Sequence, residues 1–580
     1  VSIRLPMLIY GADVDIDDDI RMGDFVDLVD NESWVEFMPQ NVTKDIFRQL
    51  LKYYDEDVVI GAGMRIRRLA KAADELPPTR RVQRIAEIFA LFRNPDKETV
   101  LTPWRVVNMH MGDTVGGYNF YGPTYGTDEI LEEPRLIDNG DVTADIFLEQ
   151  NARILEMNSK SGLYPLYLAY SLYAMKLPQK ESEMAMEDTQ RLWKETLENN
   201  IFVLCKTTMA RCITRRTLAG YQNWTVHAIH LSRLLDRMDD MPRLARKLTN
   251  PNTWEKEGER LKFDAIVGNP PYQQADGGSK ASAVPIYQRF VEQAKSIEPR
   301  YISMIMPARW YSGGRGLDSF RAAMLADTHL EKLYDFIDSN DCFDGVDIAG
   351  GLCYFLWNHA YNGKCAVTNI QGAERYTTMR QMNESDVFVR YGQALSIIEK
   401  VKTVESEFLD SYVSSQKPFG LRTYVTPTDS GDVSLRYNKG IGPFRRELVT
   451  SGIDWIDKWK VIMSYLTSDH AGRGDKEGKR KIFSSMEVLP PETVCTETYI
   501  VIDTFDTENE AQNLFSYLKT QFVRFLVALV TTTQHISKSN FAFVPVQDFS
   551  KEWSDAKLYS KYGLTDDEIK FIESMIRPME

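Results

Sequence analysis

The chain has 580 residues, 43% hydrophobic and 26% charged, with a formal net charge of −14. That length predicts about three or four domains of ~150 residues each, and the composition excludes a disordered or low-complexity chain. No run approaches the roughly 18 apolar residues of a spanning helix. The six scattered cysteines (205, 212, 342, 353, 365 and 495) have neither disulfide-framework nor zinc-ligand spacing, so they read as reduced thiols of a cytoplasmic protein.

Residues 1–97 read as a mostly helical region, with helical stretches at Thr43–Tyr54 and Arg80–Phe92. Its opening is strongly acidic: between Asp13 and Glu36 there are ten acidic side chains against Arg21 alone. The chain starts on Val1 and not on Met, as expected of an excised fragment or a processed start. From 98 to 375 apolar strands alternate with amphipathic helices, the signature of a doubly wound α/β sheet. The predicted strands are Arg153–Met157, Ile201–Leu204, Asp264–Val267, Tyr301–Met306, Leu330–Phe336 and Gly351–Trp357. The predicted helices between them are Tyr164–Met175, Thr208–Leu218 and Pro285–Ser296. Residues 376–550 turn to mixed polar stretches rich in aromatic and turn residues, which predicts a separate α+β recognition domain. The tail, 551–580, reads as one or two helices, with a start at Leu564-Thr565-Asp566-Asp567-Glu568.

The most informative stretch is Phe263 to Tyr272. Phe263–Val267 suits a buried parallel strand, Gly268 lets the backbone turn, and Pro270 and Pro271 fix the loop that follows. Such a loop can serve methylation of an exocyclic amino group. That nitrogen is a poor nucleophile because its lone pair is delocalised into the ring. The Asn269 side-chain oxygen and the Pro270 carbonyl can accept its two N–H bonds and draw it towards tetrahedral geometry. Pro271 has no N–H to compete, and Tyr272 can stack on the base. An Asn-Pro turn with a packed tyrosine is the plainer alternative; the strand before and the Tyr after favour chemistry.

Asn269-Pro270-Pro271-Tyr272 resembles the catalytic motif of the S-adenosylmethionine-dependent amino methyltransferases, which act on adenine N6, cytosine N4 or glutamine. The resemblance implies a cofactor lying across the carboxyl ends of the first strands, at the switch point of the sheet. There the first strand leads into Glu156, Asn158, Ser159 and Gly162, similar to the family's cofactor loop, with Lys160 where its first glycine would stand. After the second strand Cys205 and Lys206 occupy the place of the acid that would hold the ribose hydroxyls. A thiol cannot replace a carboxylate as a double acceptor. Upstream, Thr102-Pro103 resembles the threonine–proline lead-in of large restriction–modification adenine methyltransferases. Downstream, Ser303 to Trp310 resembles the family's strand ending in proline, implying that Pro307, Arg309 and Trp310 shape a pocket for the flipped base. The stretch from Asp341 to Phe355 resembles the glycine-rich hairpin of the large single-chain enzymes.

The order of lead-in, cofactor loop, catalytic loop and long C-terminal region is similar to the γ-type, type IIG-like restriction–modification enzymes. It implies a Rossmann-like doubly wound methyltransferase sheet with an N-terminal helical region and a C-terminal mixed α+β target-recognition domain. It also implies S-adenosylmethionine as cofactor, double-stranded DNA as partner and no metal. An adenine inside a duplex must be rotated out to be reached, and local basic patches, not the net charge, set the affinity for phosphate. The segment 472–481 carries five basic residues against two acids. Candidate DNA contacts are Lys417, Arg422, Arg473, Lys479, Arg480, His535 and Lys538. There is no nuclease carboxylate–lysine cluster and no phosphate-binding Gly-x-x-x-x-Gly-Lys-Ser/Thr loop. If the intact protein cuts or translocates DNA, those parts lie outside this chain. Two alternatives stay open: an RNA or protein-glutamine methyltransferase, and a DNA-recognition subunit whose cofactor site is degenerate and inactive.

Overall fold

A computed structural model describes every residue except 1–4, 16, 17, 19, 40, 41, 93–100, 124–128, 150, 275–283, 313–315, 344, 347, 349, 385–387, 469–473, 476, 532, 533 and 580. The chain divides into two units. One comprises Val1–Ala308, Gly314–Arg375 and Met379–Met382; the other comprises Arg309–Gly313, Tyr376–Thr378 and Asn383–Glu580.

A nine-stranded sheet organises the first unit. Its strands are β1 (Ile154–Ser159), β2 (Ile201–Cys205), β3 (His227–His230), β4 (Ala265–Gly268), β5 (Tyr301–Pro307), β6 (Leu330–Phe336), β7 (Leu352–Asn358), β8 (Cys365–Gln371) and β9 (Glu374–Arg380). In space they run β9-β8-β6-β7-β5-β4-β1-β2-β3. From β5 to β3 every pairing is parallel, whereas β7 runs antiparallel to its neighbours β5 and β6. Every residue of β1, β2, β4 and β5 is buried. Continuous apolar runs of this kind suit parallel strands covered on both faces. The helix Leu163–Met175 is buried from Leu163 through Tyr173, so it shows no polar stripe and reads as interior.

The chain builds β1, β2 and β3 outward in one direction, then returns to lay β4 on the other side of β1. The strand order therefore reverses between β1 and β4. The loops leaving the carboxyl ends of these two strands lie where α/β sheets bind their ligands, in the crevice expected at such a reversal.

The six predicted strands and three predicted helices all form, their ends moved by one or two residues. Three strands of the sheet were not predicted: β3, because His-Ala-Ile-His carries no apolar run, β8, because its apolar residues are interrupted by Thr368 and Asn369, and β9, because most of its side chains are polar and exposed. The N-terminal helices Leu5–Gly11, Asn31–Phe37, Glu56–Ala73 and Pro78–Ala90 belong to the same unit as the sheet. They cover the helix Thr208–Ala219, where Arg81 Nη1 donates to the Thr217 carbonyl at 3.1 Å and Tyr10 pairs with the Thr217 hydroxyl at 3.4 Å.

The second unit holds two three-stranded sheets. One joins Val433–Tyr437 to Gly440–Phe444 and Thr493–Cys495; the other joins Trp459–Ser464 to Met486–Leu489 and Tyr499–Phe505. The helices Glu508–Lys519 and Gln521–Val530 share a core with the second sheet through Leu514, Phe522, Phe525, Val461 and Ile500. The predicted start at 564–568 is a full capping box, with the Thr565 hydroxyl on the Glu568 backbone and the Glu568 carboxylate on the Thr565 backbone. Among the described residues no helix is long and apolar enough to cross a membrane.

Candidate active site

β4 delivers Asn269 into the crevice, and Gly268 is what lets it do so. A Cβ on Gly268 would stand 2.5 Å from the Met157 carbonyl oxygen, a backbone atom of β1 that cannot swing aside. Gly268→Ala is therefore expected to force β4 away from β1 and lower folding stability by about 1–3 kcal/mol. Denaturant unfolding would record it as a lower midpoint.

The Asn269 amide is fixed by its nitrogen. Nδ2 donates to the Thr102 hydroxyl at 2.9 Å, and the Asn269 carbonyl accepts from Asn158 Nδ2 at 3.4 Å. With Nδ2 engaged, Oδ1 is left buried and has no hydrogen-bond partner. A buried acceptor without a donor costs about 1–3 kcal/mol, which makes it a mark of a site awaiting one. Pro270 is buried and Pro271 half-buried. Tyr272 is half-buried; its carbonyl accepts from the Ile286 N–H at 3.2 Å, and its hydroxyl is also without a partner. Burial, then Cys342, pushes the Tyr272 phenol far above its ordinary pKa, and a polar contact from the Asn269 side chain opposes the rise, so the two groups are neighbours.

The loop after β1 supplies further acceptors. Glu156 lies opposite Val267 of β4 and Val203 of β2, and is 4% exposed. Burial raises its carboxyl to about 8, with Ser159 opposing, and Oε2 has no partner. Asn158 forms a bulge against β2 with φ of +70°, a left-handed conformation that Asn tolerates better than most residues, and its Oδ1 is likewise partnerless. Strained backbone of this kind collects at functional sites. The Ser159 hydroxyl accepts from the Gly162 N–H at 3.2 Å and pairs with Thr214 at 3.0 Å. Gly162 has φ of +77°, and a Cβ there would come within 3.0 Å of the Thr214 backbone. These are small residues holding a tight turn, not groups reaching for a ligand.

Cys205 ends β2 fully buried, its thiol 3.8 Å from the Thr214 hydroxyl. Burial, then the Glu156 carboxylate, pushes its pKa well up. It stays a neutral thiol inside the sheet layer. Thr102 is the converse case, placed by its sequence in the cofactor's lead-in but found holding the amide of Asn269. Pro103 behind it is exposed and caps the helix Trp104–Thr114.

Below this layer lies a network that no sequence pattern announced. His110 is fully buried, with Nδ1 2.8 Å from the Tyr164 hydroxyl and Nε2 2.8 Å from Ser303 Oγ. Burial lowers its pKa to about 3, so the ring is neutral and ties the helices 104–114 and 163–175 to β5. A lone histidine on a helix gives no signal of such partners, which come from elements 54 and 193 residues away.

Residues 199–343 match the Eco57I restriction-modification methylase family. The matched segment runs from β2 through β6 and contains the whole Asn269–Tyr272 loop. A 132-residue stretch is 36% identical to an "Uncharacterized adenine-specific methylase" of Mycoplasma pneumoniae, a match that takes in 22% of this chain and 31% of that relative. The chain thus spans about a third of the length of the curated relative it matches. Among solved structures, a nuclease-deletion mutant of the Type ISP restriction-modification enzyme LlaGI with a DNA substrate mimic aligns at a TM-score of 0.42 and 12% identity, over 98% of this chain and 62% of that one. The DrdV–DNA complex aligns at 0.40 and 12%, over 98% and 65%.

Of the residues expected to contact the target, Pro307 ends β5, buried in register with Leu352 of β7. Arg309 is half-buried and Trp310 is fully buried in the second unit, its ring 4.7 Å from Tyr311 and 6.3 Å from Phe388. A ring enclosed on this scale is held by packing against its aromatic neighbours. Arg480 is buried in the second unit as well. It is 4% exposed, Nη1 donates to the Ala528 carbonyl at 3.2 Å, and its backbone bonds Met575 and Arg577 of the C-terminal tail. Arg422 is exposed and, with half-buried Lys417, faces Glu497 at 3.4 and 4.0 Å. Lys479 is half-buried, Lys538 is exposed, and exposed His535 stacks on Tyr465 with ring centres 4.7 Å apart. Arg473 lies outside the described residues.

Proposed function

We propose that the chain is a DNA adenine-N6 methyltransferase of a restriction–modification system, using S-adenosylmethionine. The observation that carries this reading is the buried, partnerless Oδ1 of Asn269, on an amide anchored by Thr102 at the switch point of the sheet. The cofactor fits the residues present. Its ammonium and ribose hydroxyls are donors, and the crevice offers the buried acceptors Glu156 Oε2 and Asn158 Oδ1 without partners. Glu156 and Asn158 would hold it. When bound, S-adenosylmethionine supplies an electrophilic methyl group.

The rest falls to the chain's own atoms. Asn269 Oδ1 accepts one N–H of the target amine and the Pro270 carbonyl accepts the other. Holding both N–H bonds off the ring plane localises the nitrogen lone pair and orients it for in-line attack, which is positioning work. Thr102 keeps the amide from rotating its nitrogen towards the amine, where two donors would clash. The Tyr272 ring gives the flipped base a stacking surface. The family matched by residues 199–343, and the adenine-specific relative, support adenine as the target. In the second unit, Arg422, Lys479, His535 and Lys538 remain the side chains proposed to meet DNA.

The test is transfer of labelled methyl from S-adenosylmethionine to duplex DNA, followed by mass analysis of the nucleosides. N6-methyladenine is the expected product. Label in cytosine, in RNA or in a glutamine would replace the substrate reading, and no label in any acceptor would defeat the enzyme reading. Cys205 favours one second reading, a recognition subunit that binds no donor. Calorimetric titration with the donor decides between them, since that reading requires no detectable heat at millimolar concentration.

A further inference from the structure

Thr207 and the neighbouring N-terminal helix carry an arrangement that the proposed reaction leaves unused. At the carboxyl end of β2 the chain offers a buried thiol, Cys205, and a half-buried Lys206. A nucleoside ligand seated at a switch point is met there by a carboxylate on its ribose hydroxyls. The structure brings a carboxylate to that place from 171 residues upstream. Thr207 caps the helix Thr208–Ala219 by accepting the Ala210 N–H, and donates its hydroxyl hydrogen to Glu36 Oε2 at 2.5 Å. Beside it the Met209 N–H donates to Ser33 Oγ at 3.1 Å, so the helix Asn31–Phe37 is seated on this corner by two contacts. Ser33 is in turn held by Asp30, which caps that helix.

Glu36 is 6% exposed, and its second oxygen, Oε1, is buried with no hydrogen-bond partner. The Cys205 thiol is raised by Glu156 and by Glu36 as well as by burial, which sets both carboxylates around the same strand end. Ser159, directly across from Cys205 in the β1–β2 register, completes that rim. Glu36 is thus an acceptor in want of donors, on the side of the crevice where the sequence has no acid of its own.

We propose that Glu36 is the residue that accepts the vicinal ribose hydroxyls of the adenosyl ligand, replacing the carboxylate absent at Cys205–Lys206; this rests on the methyltransferase reading. The helix Asn31–Phe37 then belongs to the cofactor site. One carboxylate oxygen is oriented by Thr207, which leaves the other free to take a hydroxyl.

The experiment compares two ligands by calorimetry on the full chain: S-adenosylhomocysteine and its analogue lacking the 2′- and 3′-hydroxyls. Glu36→Gln is expected to weaken S-adenosylhomocysteine by about ten- to a hundredfold, the range for hydrogen bonds to a charged acceptor, while changing the analogue less than about threefold. Ser33→Ala, which loosens the same helix but keeps the carboxylate, is expected to preserve the difference between the two ligands. Equal weakening of both ligands by Glu36→Gln would make Glu36 a docking group and overturn the proposal. Unchanged binding of S-adenosylhomocysteine would overturn it as well. A wild-type chain that binds neither ligand at millimolar concentration would instead fail the underlying reading of the cofactor site.

Discussion

Asn269→Ala is expected to cut the single-turnover rate of methyl transfer by roughly 10²–10³-fold, the loss seen when one preorganised polar contact to a reacting centre is removed, while cofactor affinity changes little. The reason is the division of labour within one amide. Nδ2 is already spent on Thr102, so Oδ1 is the half that faces work. Alanine removes the acceptor and leaves the Pro270 carbonyl alone to orient the amine, so the lone pair is no longer held out of conjugation. Asn269→Asp keeps an acceptor but gives up the donor to Thr102, and should fall between the two. Thr102→Val tests the anchor. It frees the amide to turn, lowering kcat without removing an atom that touches the base. A rate undiminished in Asn269→Ala, measured with labelled donor and saturating DNA, would sink the mechanism.

The second large effect concerns Glu156. Burial lifts its carboxyl from the ordinary 4.5 to about 8. In the ligand-free chain it therefore holds a proton at pH 7 that the unfolded chain would have lost. Its contribution to folding stability is fully present below about pH 4.5 and is lost as pH rises through about 8. A cationic ligand reverses the preference, because an ammonium beside the carboxyl favours its charged form. Binding at pH 7 should release close to one proton. Affinity should climb about tenfold per pH unit from pH 6 towards 8, then level off. Calorimetry with S-adenosylhomocysteine, in buffers of different ionisation enthalpy, measures the proton count directly. Glu156→Gln should abolish both the proton release and the slope, and weaken binding by about ten- to a hundredfold. Identical heats in every buffer would show that Glu156 does not meet a cation.

The sheet was legible strand by strand because its central strands are buried on both faces, and such strands must be continuous apolar runs. β3, β8 and β9 were not, since their His, Thr, Asn, Glu and Arg side chains resemble loop sequence. The catalytic corner was legible for the opposite reason. The chemistry proposed for Asn269-Pro270-Pro271-Tyr272 rests on groups of four consecutive residues, so its signal is local. In the basic run 472–481, Arg480 is buried and bonds the Ala528 carbonyl, a placement that its sequence does not distinguish from a surface cation.

The sequence by itself determined the strand–glycine–loop that presents Asn269, because apolar runs, a Cβ-free turn and fixed proline dihedrals act over neighbouring residues. Only the tertiary structure decided which way the Asn269 amide faces, which buried acceptors lack donors, and that Glu36 reaches the end of β2. Those outcomes depend on Thr102, Asn158 and Thr207, which stand 167, 111 and 171 residues from their partners. No local pattern encodes contacts of that span; the packing of whole elements sets them, and the leftover hydrogen bonds then mark the site.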